Sequence, residues 1–426
     1  MASGSWLALL AIFTVGCEQA VVLVDAAPPA DTGGGGGGGG VTRATLTLTI
    51  KLESEDSAIA AALGWPNAVV PGADVTIQRG GDPASRQVAR TDSAGAVQFE
   101  HLLTGEYSVG ATRTLDGSDK ARLATEDADV DAVSAGGYVQ VAAPRSDAEV
   151  RAHAGRRGTL VISEFFFSWE NNSTPYLFGG YLELYNNSDT TIYLDDKLVG
   201  GWSMVWDTSP FNRYSCVDEA PYASDSLGLW VIYVYRFPGS GSEYPLGPGR
   251  SAVIAMDAID HRAAAPNYDD LSHADFEFMG DPGLDVDNPT VPNMITLGTT
   301  RPAAGHGLRF NAAGGAPFVA NPLNIDTLPT ARPFFDLNQW RIPKAAVLDF
   351  GMFWGNPAFA PDPLCPQLVH PSFEREPARI IPPFGDMRSV QRKLFGYSAG
   401  GQPILQRTRN SARDFELRAR SPGGVP

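Results

Sequence analysis

The sequence predicts an all-β protein made of two β-sandwich domains. Three observations carry that expectation: apolar and polar residues alternate strictly in several short runs; 46 glycines and 33 prolines demand frequent turns; and no long capped stretch of helical period occurs between 41 and 426. At 426 residues, 43% of them apolar, the chain is long enough for two or three domains with proper cores. The net charge of −16 keeps the surface solvated and repels phosphate backbones, so no nucleic-acid partner is expected.

The first element is MASGSWLALLAIFTVGC, residues 1–17, whose apolar run from Trp6 to Val15 has signal-peptide length and is too short to span a bilayer. Residues 18–40, ending DAAPPADTGGGGGGGG, have little to bury and form a linker. As a flexible chain they reach about 25–30 Å. Residues 41–150 are expected to form the first sandwich. RATLTLTIKLE alternates as a strand, ADVTIQR, AVQFEHL and EYSVGAT follow as further strands, and RTDSAGAV turns between them. Residues 116–157, rich in Asp and Ala, read as an ill-defined end and link, with YVQVAAP as the last strand of the domain.

Residues 158–426 form the second sandwich. GTLVISEFFFSW places Leu160 and Ile162 on one face of a strand, and YLELYNNSDTTIYLDD (181–196) reads as a β-hairpin closed by Asn-Asn-Ser-Asp. GLWVIYVYRF puts Trp230, Ile232 and Val234 on one strand face. A Gly-Pro turn feeds a buried strand over 252–256, and KAAVLDFGMFW and RDFELRARSPGG supply late strands. About 100 residues suffice for such a sandwich. The surplus falls at 207–245 and 263–380 and reads as long loops, where recognition usually resides. Arg407, Arg409, Arg413, Arg418 and Arg420 alternate with apolar positions and are expected on the solvent face of a last strand.

Candidate chemistry is sparse. MDAIDHRAAAPNYDDLSHADFEF gathers Asp257, Asp260, His261, Asp269, Asp270, His273, Asp275 and Glu277. Imidazole with carboxylate suits a divalent metal and a metal-assisted hydrolase, the alternative to a binding module; yet no zinc-protease spacing occurs, and the same residues cap turns. Asp281, Asp285, Asp287 and Asn288 offer oxygen ligands for calcium but lack the spacing of the twelve-residue calcium loop, and Asp or Asn before Pro forms turns equally well. Glu164 and Glu183, on neighbouring strands, invite a glycosidase reading against a structural hydrogen-bonding one. No nucleophile elbow or phosphate loop is present. No catalytic residue and no cofactor is therefore expected, calcium alone staying open. Aromatic residues concentrate in SWENNSTPYLFGGY, GLWVIYVYRFPGSGSEY and MFWGNPAFAP, and most of them read as core rather than as a binding platform. Trp169 and Tyr176, which strand alternation does not bury, are the candidate ligand contacts, suited to an extracellular glycan or protein.

Three stretches resemble known families. The run before Cys17 resembles the lipobox of bacterial lipoproteins, with Thr14 at −3 where Leu is usual. The resemblance implies lipidation of Cys17, export, and anchoring at the cell envelope as an outer-membrane lipoprotein facing periplasm or exterior. Cys216 and Cys365 then remain, as one disulfide of an exported protein or as two buried thiols. PGADVTI…ARTDSAGAVQFEHLLTGEYSVGAT resembles the carboxypeptidase-regulatory-like, transthyretin-like sandwich, implying a turn at Asp92–Gly95, an inward Leu102 and a final strand opening at Gly105–Tyr107. VISE, YLELYNNSD, IYLDD, Trp202, LGPGRSAVIA and SPGG resemble the lamin-tail domain, an immunoglobulin-like sandwich. GTLVISEFFFS, SHADFEF, DVDNPTVPNM and GQPILQRTRNSARDFEL are similar to a bacterial lipoprotein family of unassigned function, which implies the same order of parts and no known activity.

Overall fold

The computed structural model describes residues 43–80, 82–124, 130–155, 159–166, 178–203, 224–263, 266–278, 286–299, 314–334, 337–355, 369–381, 386–398 and 402–424. The expectation of an all-β protein holds across them. The first body contains β1 (Arg43–Leu52), β2 (Asp74–Arg79), β3 (Gln87–Arg90), β4 (Ala96–Leu103), β5 (Gly105–Thr114), β6 (Ala132–Val141) and β7 (Arg145–Gly155). They form one sheet in the order β3-β2-β5-β6-β7-β1-β4, antiparallel except for the parallel β1–β7 pair. Period-2 alternation on β1 sends Leu46, Leu48, Ile50 and Leu52 inward. The edge strands β3 and β4 approach each other, so the sheet rolls around these residues together with Val75, Phe99, Leu102 and Tyr107.

The turn into β4 is built as its residues imply. Asp92 Oδ1 accepts the Ala94 and Ala96 N–H groups at 2.8 and 2.9 Å. Gly95 has φ +69°, and a Cβ there would lie 2.8 Å from Val69 Cβ, so only glycine fits. The segment expected to be an ill-defined link is a strand instead. The whole of β7 joins this sheet, because its inward Val150, Ala152 and Ala154 complete the core beside β1. β5 is accordingly an interior strand, not the last one.

The second body opens with β8 (Leu160–Phe166), β9 (Tyr181–Asn186), β10 (Ile192–Tyr193) and β11 (Leu198–Ser203). Next come β12 (Gly228–Val231), β13 (Tyr233–Arg236), β14 (Pro245–Leu246), β15 (Ser251–Ala255), β16 (Phe276–Phe278) and β17 (Asn293–Thr299). β18 (Gly314–Ala320), β19 (Thr330–Phe334), β20 (Leu337–Pro343), β21 (Val347–Phe350), β22 (Phe353–Gly355) and β23 (Ala378–Ile381) follow. β24 (Ser389–Arg392), β25 (Leu394–Tyr397), β26 (Pro403–Leu405) and β27 (Phe415–Arg418) complete it. The main sheet runs β23-β22-β18-β11-β13-β17-β16-β15-β9-β8-β24-β27, with β21 also paired to β18. It curls until its ends meet: β18 and β21 pack on β8, and β23 packs on β27. Phe353 bridges the closure, its ring 4.5 Å from Phe165 and 4.7 Å from Phe415.

Three expectations change here. The stretch 181–196 is not a hairpin. β9 is already flanked by β8 and β15, while β10 pairs with β14. Asn186 diverts the chain, its Nδ2 donating to the Thr190 and Leu246 carbonyls at 2.8 Å each. Trp230, Ile232 and Val234 do not share a strand. The chain breaks at Ile232, β12 pairs with β20, and β13 enters the main sheet. Finally, the surplus over a minimal sandwich is not loop throughout, since β12 to β14 and β16 to β22 lie within it.

Candidate functional site

The acidic and histidine-bearing segment begins where β15 leaves the sheet. Its groups are dispersed, and most have local partners. His261 is fully buried and its Nε2 donates to the Asp257 carbonyl at 2.8 Å; burial pushes its pKa down and favours the neutral ring. His273 is exposed. Arg262 grips both Asp260, at 2.7 Å, and Asp270, at 2.8 Å. The guanidinium holds the Asp260 carboxyl down at about 2. Asp269 meets Arg420 at 2.8 Å, and Asp275 accepts the Val253 N–H at 2.8 Å. Glu277, with no exposed surface, accepts the N–H groups of Ala258 and Asn288 at 2.9 and 3.0 Å. Among the described residues no three His, Cys, Asp or Glu side chains converge on a common metal position.

The calcium candidates take similar roles. Asn288 Oδ1 accepts the Thr290 N–H and hydroxyl, while its Nδ2 ties to the Ala258 and Ser272 carbonyls. Asp287 accepts from Asn293 Nδ2 at 2.7 Å. Asp285 lies outside the described residues, as do Cys17, Cys216, Cys365, Trp169 and Tyr176.

Glu164 and Glu183 do come together, opposite each other in the β8–β9 register next to a bulge. Both are buried, at 3% and 1% exposure. Their oxygens are occupied by chain, not by a cleft. Ser421 donates its N–H and hydroxyl to Glu164 at 3.1 and 2.9 Å, and Tyr181 donates its hydroxyl to the same carboxylate. Gly423 N–H and Ser163 Oγ donate to Glu183 at 2.7 and 2.8 Å, with the Ser251 hydroxyl also bonded to it. Burial, with the Glu164 charge adding to it, raises the Glu183 pKa to about 7. Beside this pair, the Arg420 guanidinium lies over the Phe166 ring at 4.6 Å. The SPGG stretch is therefore a strap bound into a carboxylate cradle.

A second constellation escaped the sequence reading. Asp349 and Arg392, each 1% exposed at the side chain, pair at 2.5 Å, and Arg407 joins Asp349 at 2.7 Å. Arg392 also donates to the Ile162 and Gln406 carbonyls and lies 4.2 Å over the Phe415 ring. Asp349 accepts the Ile162 N–H at 2.9 Å, closing the join between β8, β21 and β24. The arginines after 406 are thus not a uniform solvent face. Arg407 and Arg409 are largely buried, Arg413 reaches His153, and Arg420 is clamped, because each has an inward acceptor or ring; only Arg418 stands mainly in solvent. No local spacing signals this, since the partners lie up to 260 positions away in the chain.

The arrangement can fix backbone and close sheets. No helix among the described residues is long and apolar enough to cross a membrane. No curated protein matches the sequence. Among solved structures, a chain from Bacteroides eggerthii titled as a proposed cell adhesion protein is 11% identical over 66% of this chain and 74% of its own, with a TM-score of 0.18. A DUF4876 family protein from Bacteroides thetaiotaomicron is 19% identical, covering 90% of this chain and 95% of its own, with a TM-score of 0.50. Residues 247–328, the Asp- and His-bearing segment with its flanks, match the family described as "Protein of unknown function (DUF4876)", and the fold of the chain is similar to that of a solved member of that family.

Proposed function

We propose that the chain is a non-catalytic, lipid-anchored protein of the bacterial cell envelope, whose second sandwich recognises an extracellular glycan or protein through its irregular segments. One observation supports this reading above others: the buried acids Glu164, Glu183, Glu277 and Asp349 of the second body are engaged with backbone N–H groups, hydroxyls or arginines. A hydrolase needs ionisable groups aimed at an open site. Here the carboxylate pair grips the chain's own strap. Anchoring rests on the lipobox resemblance and Cys17, recognition on the aromatic candidates Trp169 and Tyr176.

Two experiments test the two halves of the proposal. Metabolic labelling with a fatty-acid probe is expected to mark the wild-type chain and not Cys17→Ala; equal label in both, or none in either, contradicts anchoring at Cys17. Glycan and peptide arrays are expected to show binding that Trp169→Ala with Tyr176→Ala abolishes, and blank arrays contradict the recognition role. Bound metal is measured on the same preparations. Stoichiometric metal that disappears in His261→Ala with His273→Ala would overturn the non-catalytic reading in favour of metal-assisted hydrolysis.

A further inference from the structure

The stretch GQPILQRTRNSARDFEL serves no purpose in the proposed recognition, yet it is where the two bodies meet. β25 pairs with β26, and β25 lies across the outer face of β5 and β6. In the β5–β6 register that face presents Ser108, Gly110 and Thr112 beside Tyr138, Gly136 and Ser134, mostly small side chains. The approach is backbone to backbone. A Cβ on Gly136 would sit 2.1 Å from the Phe395 carbonyl oxygen, and one on Gly155 would sit 2.5 Å from that of Arg407. The neighbouring Gly137 has nothing within 4 Å of the same construction. Glycine is therefore sterically required where the second body touches the sheet, and not one residue along.

Polar contacts cross the same seam. Asp56, 2% exposed, accepts the Ala154 N–H at 3.0 Å from its own body and meets Arg375 at 3.4 Å from the other. Arg413 reaches His153 Nδ1 at 2.8 Å. Ser134, His153, Phe395, Ile404 and Arg407 line the crevice that remains, which has room for about one water.

On its other side the same stretch is fixed to the second core. Tyr185 donates its hydroxyl to the Pro403 carbonyl at 2.7 Å, and Asn187 exchanges two hydrogen bonds with Leu405 at 2.8 and 3.1 Å. Arg407 is held by Asp349, Thr408 by Asp414, and Ser411 by Glu374. A surface pinned from behind and fitted to glycine in front has the anatomy of a permanent interface rather than a passing encounter.

We propose that β25, β26 and residues 406–413 form a docking element whose partner is the first sandwich of the same chain, so that both sandwiches unfold as one cooperative unit. The first sandwich is then a fixed buttress for the second, not an independently moving spacer.

Peptide-resolved hydrogen exchange across a urea titration of the full chain tests this. Peptides from β5–β6 and from β24–β27 are expected to lose protection at one shared midpoint. Gly136→Val is expected to separate the two midpoints, while Gly137→Val keeps them together. Arg413→Ala adds no bulk and is expected to lower both midpoints in step, which keeps the proposal testable if the valine variants do not fold. Two distinct midpoints in the wild type, identical behaviour of the two valine variants, or an Arg413→Ala shift confined to the second body would each overturn it.

Discussion

Glu183 is a carboxylate with 1% exposure opposite a second buried carboxylate, and its pKa of about 7 stands above the ordinary 4.5. The sign of the resulting pH dependence follows from proton binding. Between pH 4.5 and about 7 the folded chain holds a proton at this site that the unfolded chain releases, so the contribution is complete below the window and is lost as pH rises through it. The span corresponds to on the order of 3 kcal/mol. Glu183→Gln is expected to flatten that part of the stability–pH profile relative to wild type and to gain stability at pH 8, read by chemical denaturation at several pH values. A profile identical to wild type contradicts the assignment. Arg392 sits between Asp349 and Asp414 in a dry environment, with Arg407 on the far side of Asp349. Removing Arg392 leaves Asp349 with Arg407 alone and takes the cation from the buried Asp414, so Arg392→Ala is expected to cost about 3–5 kcal/mol by urea denaturation. A loss below about 1 kcal/mol would place the pair in solvent-screened surroundings.

At the scale of elements, the readable strands were those with one wet face. β1 alternates because solvent lies on one side of it, and the Asp92–Gly95 turn follows from an acceptor and a left-handed glycine. β8, β9, β21 and β24 are buried at every position, so alternation says little about which neighbour each face meets. β24 is the hardest case: Ser-Val-Gln-Arg carries three polar residues of four, and becomes core only because Asp349, Ala419 and Ile162 receive its side chains. The candidate site was legible in part. The sequence sets Glu164 and Glu183 on neighbouring strands and leaves a structural role open beside a glycosidase one; the strap that fills them comes from more than 230 residues away. The hairpin reading at 181–196 failed because alternation marks a strand but not its partner. One element can be tested cheaply. Asp225 bonds Arg341 at 2.5 and 2.6 Å and Trp230 Nε1 at 2.9 Å, clamping β12 to β20. The Arg341 guanidinium lowers its pKa to about 2, so its contribution is present above pH 3.8 and is lost as pH falls toward 2. Asp225→Asn is expected to remove the low-pH part of the unfolding transition seen by tryptophan fluorescence, and an unaltered acid limb would contradict it.

For the whole molecule, closure is the common theme. The first sheet rolls until its edges approach, the main sheet curls until β23 meets β27, and the strap 421–424 crosses the carboxylates of β8 and β9. Although acids outnumber bases 48 to 32, Arg392, Arg407 and Arg420 are spent on acids within the second body. The central claim is that the buried carboxylates bind the chain itself, and one measurement reaches it directly: hydrogen exchange of the backbone amides of Ser421 and Gly423. Strong protection in the wild type, lost in Glu164→Ala with Glu183→Ala while β1 and β5 stay protected, is the expected result. Free exchange of both amides in the wild type would leave the two carboxylates unoccupied and available for chemistry, and would contradict the account.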